Sequence, residues 1–259
     1  MDNQTQTLSA RETSQASILL DPISSIENGN FETGDFRNWN TIGDTSIETE
    51  DLGIFPPEGT YQALITNGYS DAGGSVIDSD LEEFLDLAPG SLDNLVDGDA
   101  TEGSFIKQTF TVEAGDVVSF DWNFLTNEAT PSAEFNDTAF LTVNGFTFEL
   151  ADTGANFVDA NNVDEFEQQT DTQNLAFSIA NAGTYTIGFG VVDVGDDIVD
   201  SGLAIDNVAV QSSGITANGS SSSSTSLSFG EEGFTSTDSS LATGSEPGLV
   251  FGNDGFETV

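Results

Sequence analysis

The middle of the chain carries the stretch that decides the fold, VVSFDWNF at positions 117–124. Its apolar residues alternate with three polar ones, Ser119, Asp121 and Asn123. A period of two is typical of a β-strand that buries one face and leaves the other polar. The stretch before it, SFIKQTFTV at 104–112, is also strand-like, and a short glycine-containing turn separates the two. Together they predict a β-hairpin.

Strand signals of the same kind run along most of the chain. They occur at 41–47, 61–66, 137–143, 146–150, 175–179, 183–192 and 203–210. Between 79 and 95 the pattern changes, because leucine and phenylalanine fall at helical spacing ahead of Pro89 and Gly90. This break predicts one short inserted helix. About nine strands at short spacing predict an all-β fold, specifically a jelly-roll β-sandwich.

Composition divides the chain into four parts. We expect a flexible N-terminal arm at 1–25 and the calcium-binding sandwich at 26–211. A serine-rich linker follows at 212–228, and a short β-prone tail occupies 229–259. The tail holds an internal repeat, because FGEEGFT recurs near the C-terminus as FGNDGFET. Two such copies cannot bury a core of their own, so the tail is predicted to serve in secretion or assembly.

The charge of the chain is extreme, with 45 Asp and Glu against 3 Lys and Arg, no His, and a formal net charge of −42. Nucleic acid is excluded as a partner because no basic surface can displace phosphate counterions. An anionic membrane is disfavoured for the same reason. Such self-repulsion predicts a setting rich in salt or divalent cations, and Ca²⁺ is the cofactor that carboxylates, amides and carbonyls suit.

The export route is constrained by what the sequence lacks. The absence of Cys fits an exported bacterial protein without disulfides and, with no His, argues against a structural zinc site. No run approaches the ~18 apolar residues of a membrane span, so we expect no transmembrane segment. The N-terminal region has no signal-peptide core, so an exported chain either lost its signal before this numbering or carries its address elsewhere. We predict a secreted, extracellular or cell-surface location.

Two stretches, one early and one late in the chain, each contain an acidic residue that the fold could bring to a common point, Glu32 in the first and Asp206 in the second. They are NGNFETGDFRNW at 28–39 and LAIDNVAV at 203–210. A fold that lays the first and last strands side by side would bring Glu32 and Asp206 together. Two carboxylates without a base favour a bound cation.

A second acidic group crowds a single loop and consists of Asp193, Asp196, Asp197 and Asp200. These residues either hold a second metal ion or are simply solvated, and the sequence leaves both readings open. Paired acids also suit glycoside hydrolysis, but nothing distinguishes an acid of raised pKa among so many. Without His, the Ser–His mechanisms are closed. We therefore predict that the protein is not an enzyme.

Three motifs resemble the conserved segments of calcium-containing jelly-roll carbohydrate-binding modules. They are NGNFETGDFxxW at 28–39, PEGTYQAL at 57–64 and AIDNV at 204–208. Two further segments, SFDWNFLTNE and GFGVVDVGD, are similar to jelly-roll domains of secreted bacterial surface and matrix proteins. The resemblance covers roughly residues 26–211, consistent with the number of strands expected of a sandwich.

The resemblance implies a structural calcium site made only of oxygen ligands. Carried over by motif, the ligands are the carbonyl of Asn30, the carboxylates of Glu32, Glu58 and Asp206, and the carbonyl of Tyr61, or of Gln62 in its place. Sugar binding is not implied, because the aromatic platform of such modules varies. The C-terminus resembles the uncleaved tails that type I secretion systems recognise.

The sequence thus predicts an exported, calcium-stabilised, non-enzymatic component of the cell surface or extracellular matrix. Its arm and repeated tail would pair with neighbouring copies by strand addition, giving a homo-oligomer or filament. The alternative, of a different class, is a carbohydrate-binding module for a surface polysaccharide. An enzyme is the third reading.

Overall fold

The computed structural model describes residues 25–68, 74–96, 98–160, 166–212, 227–231, 233–236, 249–252 and 255–258. The predicted N-terminal arm lies outside these ranges except for its last residue. Residues 213–226 of the predicted linker also lie outside them.

The described chain is built mainly of strands. They are β1 (Asn40–Ile42), β2 (Asp44–Glu48), β3 (Gln62–Thr66), β4 (Val76–Ile77), β5 (Ala100–Val112), β6 (Val117–Thr126), β7 (Thr138–Val143), β8 (Phe146–Asp152), β9 (Val158–Asp159), β10 (Gln168–Gln169), β11 (Gln173–Ile179), β12 (Gly183–Val194), β13 (Ser201–Gln211), β14 (Leu227–Gly230), β15 (Gly233–Ser236), β16 (Leu249–Gly252) and β17 (Gly255–Thr258). A 3-10 helix spans Glu50–Leu52, and two α-helices follow, α1 (Asp78–Leu85) and α2 (Ser91–Val96).

These strands form two packed sheets and a separate hairpin. The small sheet has six strands in the order β1-β5-β12-β7-β8, with β4 also paired to β5. The large sheet has nine, in the order β15-β14-β11-β6-β13-β3-β2, with β10 joining β9 to β6. β16 and β17 pair only with each other. The predicted jelly-roll β-sandwich is confirmed.

The core lies between the two sheets and is rich in phenylalanine. Phe120 of the large sheet meets Phe189 of the small sheet edge to face, with ring centroids 4.7 Å apart. Edge-to-face pairs of this kind stabilise beyond the area they bury. Trp39 and Trp122 are each 7% exposed and belong to the same core, so neither offers its ring as a sugar platform.

The sequence break after residue 78 forms two helices rather than one. α1 ends at Leu85, and Pro89 and Gly90 separate it from α2. The buried carboxylate of Glu82 joins them, because it accepts hydrogen bonds from the N–H groups of Gly90 (3.0 Å) and Leu92 (2.9 Å). A carboxylate at a helix start satisfies N–H groups that have no partner within the helix.

The two helices cover the outer face of the small sheet. Their leucines pack against Phe105 and Phe140, whose rings stack with centroids 5.4 Å apart. Lys107 of β5 also points to this face, where its Nζ donates to the carbonyl of Phe84 and lies 4.2 Å from the centre of that ring. None of the helices in the described ranges is long and apolar enough to cross a membrane.

The first tail repeat adds a hairpin to the large sheet. β14 pairs in parallel with β11, and its Phe229 accepts a hydrogen bond from Ala180 N–H (2.8 Å). The Phe229 ring is 2% exposed among the rings of Phe148, Phe177 and Phe234. This apolar contact fixes the hairpin on the sheet edge, which would otherwise present unpaired backbone groups.

Candidate metal centre

The chain segment before β1 runs beside the last strand of the sandwich. Val208 N–H donates to the carbonyl of Gly29 (2.9 Å). A Cβ at Gly29 would lie 1.9 Å from the carbonyl oxygen of Val208, so this approach requires glycine. The segment is not the strand we expected, because it forms turns and Phe31 has a left-handed backbone (φ 52°). It nevertheless runs beside the strand that carries Asp206, and it contacts that strand through Gly29.

The side chain of Glu32 packs against the Pro-Glu-Gly turn at 57–59. Its Oε1 accepts hydrogen bonds from the N–H groups of Thr60 (2.6 Å) and Tyr61 (2.8 Å). Its carboxylate lies against Gly59, where a Cβ would come within 2.3 Å of the Glu32 Oε1. Gly59 has a left-handed backbone (φ 70°), and this conformation is what favours glycine in the motif.

Glu58 connects the other members of the predicted set. Its Oε2 accepts from Asn30 Nδ2 (3.1 Å), and its own N–H donates to Asp206 Oδ2 (3.1 Å). Hydrogen bonds therefore link the five predicted residues, but through Asn30 Nδ2 and Tyr61 N–H and not through the two carbonyls predicted as ligands. We call this set the acidic centre: Asn30, Glu32, Glu58, Tyr61 and Asp206.

Asp206 is the buried member, with only 1% of its surface exposed. Burial raises its pKa to about 7, against hydrogen bonds from the N–H groups of Glu58 and Asn207 that lower it. The negative charges of Glu58 and Asp121 raise this pKa further. Asn207 has a left-handed backbone (φ 54°), and the pairing of β13 with β6 shifts register just after Asp206. This irregularity aims the Asp206 carboxylate at the turn.

The acidic centre has the donor chemistry of a calcium site. Its side chains offer only oxygen toward a cation, and within the described ranges the one salt bridge, Arg37 to Asp35 (3.2 Å), lies outside it. As they stand, acidic side chains in the described ranges form no group of three or more that could hold a metal ion. Backbone N–H groups occupy Glu32 and Asp206 instead. A cation would have to engage fewer carboxylates or draw them closer together.

An open groove of about 480 Å³ adjoins the acidic centre. Amide side chains line it, from Asn28, Asn30 and Asn207, together with the carboxylate of Glu58. The amides both donate and accept hydrogen bonds, whereas the ionised carboxylate only accepts them. The groove can therefore contact a neutral polar ligand.

The structure separates the acids of the 193–200 loop. Asp193 is buried and Asp197 is exposed. The negative charge of Asp196 raises the pKa of Asp193. The charges of Asp44 and Glu102 instead raise the pKa of Asp200. The four predicted residues therefore do not face one common point.

Sequence reasoning missed two acids that belong with Asp193, namely Asp137 and Glu128. Asp137 is fully buried, and Glu128 is 5% exposed. Alternation could have identified Asp137, because it precedes the core residue Ala139 by two positions in the chain.

The polar face of β6 is largely occupied by other side chains. Asn123 is 3% exposed and donates to Gln169 Oε1 (2.8 Å). Asp121 accepts from Asn174 Nδ2 (2.7 Å) and Asn207 Nδ2 (3.1 Å). Asn123 is thus not available to a ligand.

The chain matches no protein-family model. No curated protein matches it either. Among solved structures it is similar to the carbohydrate-binding module TmCBM61 in complex with β-1,4-galactotriose, at 14% identity and a TM-score of 0.39, over 73% of this chain and 98% of that one. Several other similar structures are also carbohydrate-binding modules.

Two further similar structures are a carbohydrate-binding module and an enzyme domain. The mannan-recognising module TmCBM27 is 14% identical with a TM-score of 0.36, over 73% of this chain and 96% of that one. The enzymatically active domain of tailspike protein 4 from bacteriophage CBA120 is 14% identical with a TM-score of 0.35, over 73% of this chain and 21% of that one. These TM-scores are too low to bear on family or function.

Proposed function

We propose that this chain is a non-enzymatic, calcium-stabilised jelly-roll module of an exported cell-surface or extracellular-matrix protein. The observation that supports this most is the buried carboxylate of Asp206 beside Glu58, in an acidic centre that no described base contacts. Calcium would be held by the carboxylates of Glu32, Glu58 and Asp206 and by the carbonyls of Asn30 and Tyr61.

A bound ion would neutralise repulsion among these carboxylates. The chain supplies the rest of the centre: Glu58 N–H orients Asp206, and the N–H groups of Thr60 and Tyr61 orient Glu32. These bonds tie three separate segments together. Because backbone donors occupy Glu32 and Asp206, neither is placed to exchange a proton with a substrate, which supports a structural role over an enzymatic one.

The charge of the whole chain supports a location outside the cell. A formal net charge of −42 disfavours the compact state unless cations screen it. We place the protein in a calcium-containing extracellular medium, exported through its C-terminal tail by type I secretion.

The tail repeat supports self-assembly. Both repeats form hairpins of the same register, with Phe229 opposite Phe234 in one and Phe251 opposite Phe256 in the other. In the described ranges the first hairpin adds to an edge of the large sheet, whereas the second hydrogen-bonds to neither sheet, although its β17 lies close to β8 of the small sheet. We propose that this second hairpin pairs with the sheet edge of a neighbouring copy, giving a homo-oligomer or filament.

Calcium binding can be measured directly on the full chain. We expect calcium at 100 times its dissociation constant to raise the melting temperature by about 5–10 °C, because binding at that level stabilises by about 2.7 kcal/mol. In titration calorimetry, Glu32→Gln should bind one ion fewer than the wild type.

The matched control is Asp35→Asn, which removes an acid next to the centre that pairs with Arg37 instead. It should retain the wild-type stoichiometry. The proposal fails if Glu32→Gln binds as many ions as the wild type with the same affinity.

Carbohydrate binding is the second candidate function, and the amide-lined groove supports it. Neutral sugars present hydroxyl groups that amides and carboxylates bind through paired hydrogen bonds. We expect saturable binding of a neutral polysaccharide, with galactan and mannan as the first probes. Asn207 Nδ2 already donates to Asp121 (3.1 Å), so a sugar hydroxyl would donate to the amide oxygen of Asn207. Asn207→Gly keeps the left-handed backbone and should weaken binding about 5-fold, the worth of that one hydrogen bond.

Isothermal titration in calcium buffer measures this binding. Asn94→Ala is the control, because Asn94 lies in α2, outside the groove lining. Absence of saturable binding across neutral polysaccharides would exclude the second candidate and leave the first intact.

A further inference from the structure

At one end of the core, the inner face of the small sheet carries acidic side chains in place of apolar ones. In β12, Phe189 and Val191 belong to the core, whereas Val192 and Val194 pack on the outer side beneath the helices. Asp193 lies between these two outer valines. Because side chains alternate along a strand, it continues the inner face at the end of the core.

Asp137 occupies the same end and connects the sheets. Its carboxylate accepts hydrogen bonds from Asn67 Nδ2 (2.9 Å), Ser201 Oγ (2.6 Å) and Val194 N–H (3.1 Å). Asn67 and Ser201 border strands of the large sheet, so polar bonds replace apolar packing here. We call these residues the polar end layer: Asn67, Glu128, Asp137, Asp193 and Ser201.

Asp193 differs from Asp137 because its carboxylate has no hydrogen-bond donor in the described ranges. It is only 2% exposed. Burial and the charges of Asp137, Asp196, Glu102 and Glu128 raise its pKa to about 9, with no hydrogen bond acting against them. A buried carboxylate without a donor is costly unless a proton or a cation neutralises it.

We propose that the polar end layer binds one divalent cation, with Asp193 as its principal ligand and Asp137 as the second carboxylate. Two carboxylates are the most the layer offers, since no three acids in the described ranges form a metal-holding group. The hydroxyl of Ser201 and water supply further oxygens. Calcium accepts this mixture of charged and neutral oxygen ligands, and its flexible geometry suits a site completed by water.

This site is independent of the acidic centre. None of its residues is shared, and Asp206 takes its hydrogen bonds from Glu58 and Asn207 instead. The ion would close the open end of the sandwich, where the apolar core stops. Calcium binding at one site does not depend on the other, so an experiment can contradict either proposed site separately.

Asp193→Asn tests the proposal in the full chain, with Ca²⁺ as the probe. In EDTA the variant should melt above the wild type, because it removes an unpartnered buried acid. In saturating calcium that order should reverse, and calorimetry should show one ion fewer or an affinity at least about 10-fold weaker. Asp197→Asn, an exposed acid of the same loop, should match the wild type in both buffers.

A cation site and a permanently protonated acid give different results. If Asp193→Asn melts above the wild type equally in EDTA and in calcium and binds as many ions, Asp193 is simply a neutral buried acid and the proposal is wrong. Glu128→Gln removes a neighbouring charge and should repeat the reversal with smaller amplitude. Since Glu32→Gln affects only the acidic centre, its outcome cannot be mistaken for this one.

Discussion

Replacing Gly29 by alanine should destabilise the protein by about 3 kcal/mol, in the upper range for a side chain forced into filled space. The new methyl group would lie 1.9 Å from the carbonyl oxygen of Val208 and 3.1 Å from Cγ2 of Ile26. Val208 lies in the irregular stretch of β13 between the paired residues Asp206 and Ala209, so moving its backbone would disturb the pairing on both sides. The Val208 to Gly29 hydrogen bond should be lost with it.

Thermal unfolding in calcium buffer measures this effect, and the melting temperature should fall by about 6–12 °C. Calcium affinity should fall as well, because the displaced segment carries Glu32. Gly183→Ala is the control, since its added methyl meets only Tyr185 Cε2 at an ordinary 3.5 Å. If Gly29→Ala has the same melting temperature as the wild type, the segment that carries Gly29 does not pack on β13.

In EDTA the protein should become less stable as the pH rises from about 4 to about 9, the reverse of ordinary acid denaturation. Burial raises the pKa of Asp137 and Asp206 to about 7 and that of Asp193 to about 9. The folded chain therefore binds more protons than the unfolded chain across this window. Each group stabilises fully below its unfolded pKa, and that contribution is lost as the pH rises through the folded value.

The expected slope is at least one net proton, or about 1.4 kcal/mol for each pH unit. Urea unfolding at pH 5, 6, 7 and 8 in EDTA measures it. Asp193→Asn should flatten the slope, especially toward pH 8, whereas Asp35→Asn should leave it unchanged. Stability that rises with pH in EDTA would show that these carboxylates are ionised and well solvated in the folded state.

Much of the fold follows from local pattern. The two strands predicted at 104–124 form as β5 and β6, but the predicted hairpin is wrong, because β5 pairs with β1 and β12 in the small sheet and β6 pairs with β11 and β13 in the large sheet. Asn144-Gly145 makes the tight turn between β7 and β8, as predicted. The parallel pairing of β14 with β11 could not be predicted, because it depends on an aromatic surface assembled from distant strands. Phe229 is buried there by residues far from it in the chain.

The acidic centre was predictable and the polar end layer only partly so. Glu32, Glu58 and Asp206 stand in recognisable motifs, and the structure brings their segments together. Asp193 was predicted together with Asp196, Asp197 and Asp200, but clustering in one loop says little about which of these side chains enter the core. Asp137, its proposed partner, stands just before β7 in a distant part of the chain. Only the folded sandwich places Asp137 and Asp193 at the same end of the core.

The position of Lys107 has a consequence for how the protein withstands proteases that cut after basic residues. The whole chain offers such enzymes only three targets. Lys107 lies in a strand paired on both sides, with its amine held against Phe84. Cleavage there needs an extended, accessible backbone, which β5 provides only when the small sheet opens. Trypsin-like digestion at this residue would therefore report on unfolding of the sandwich.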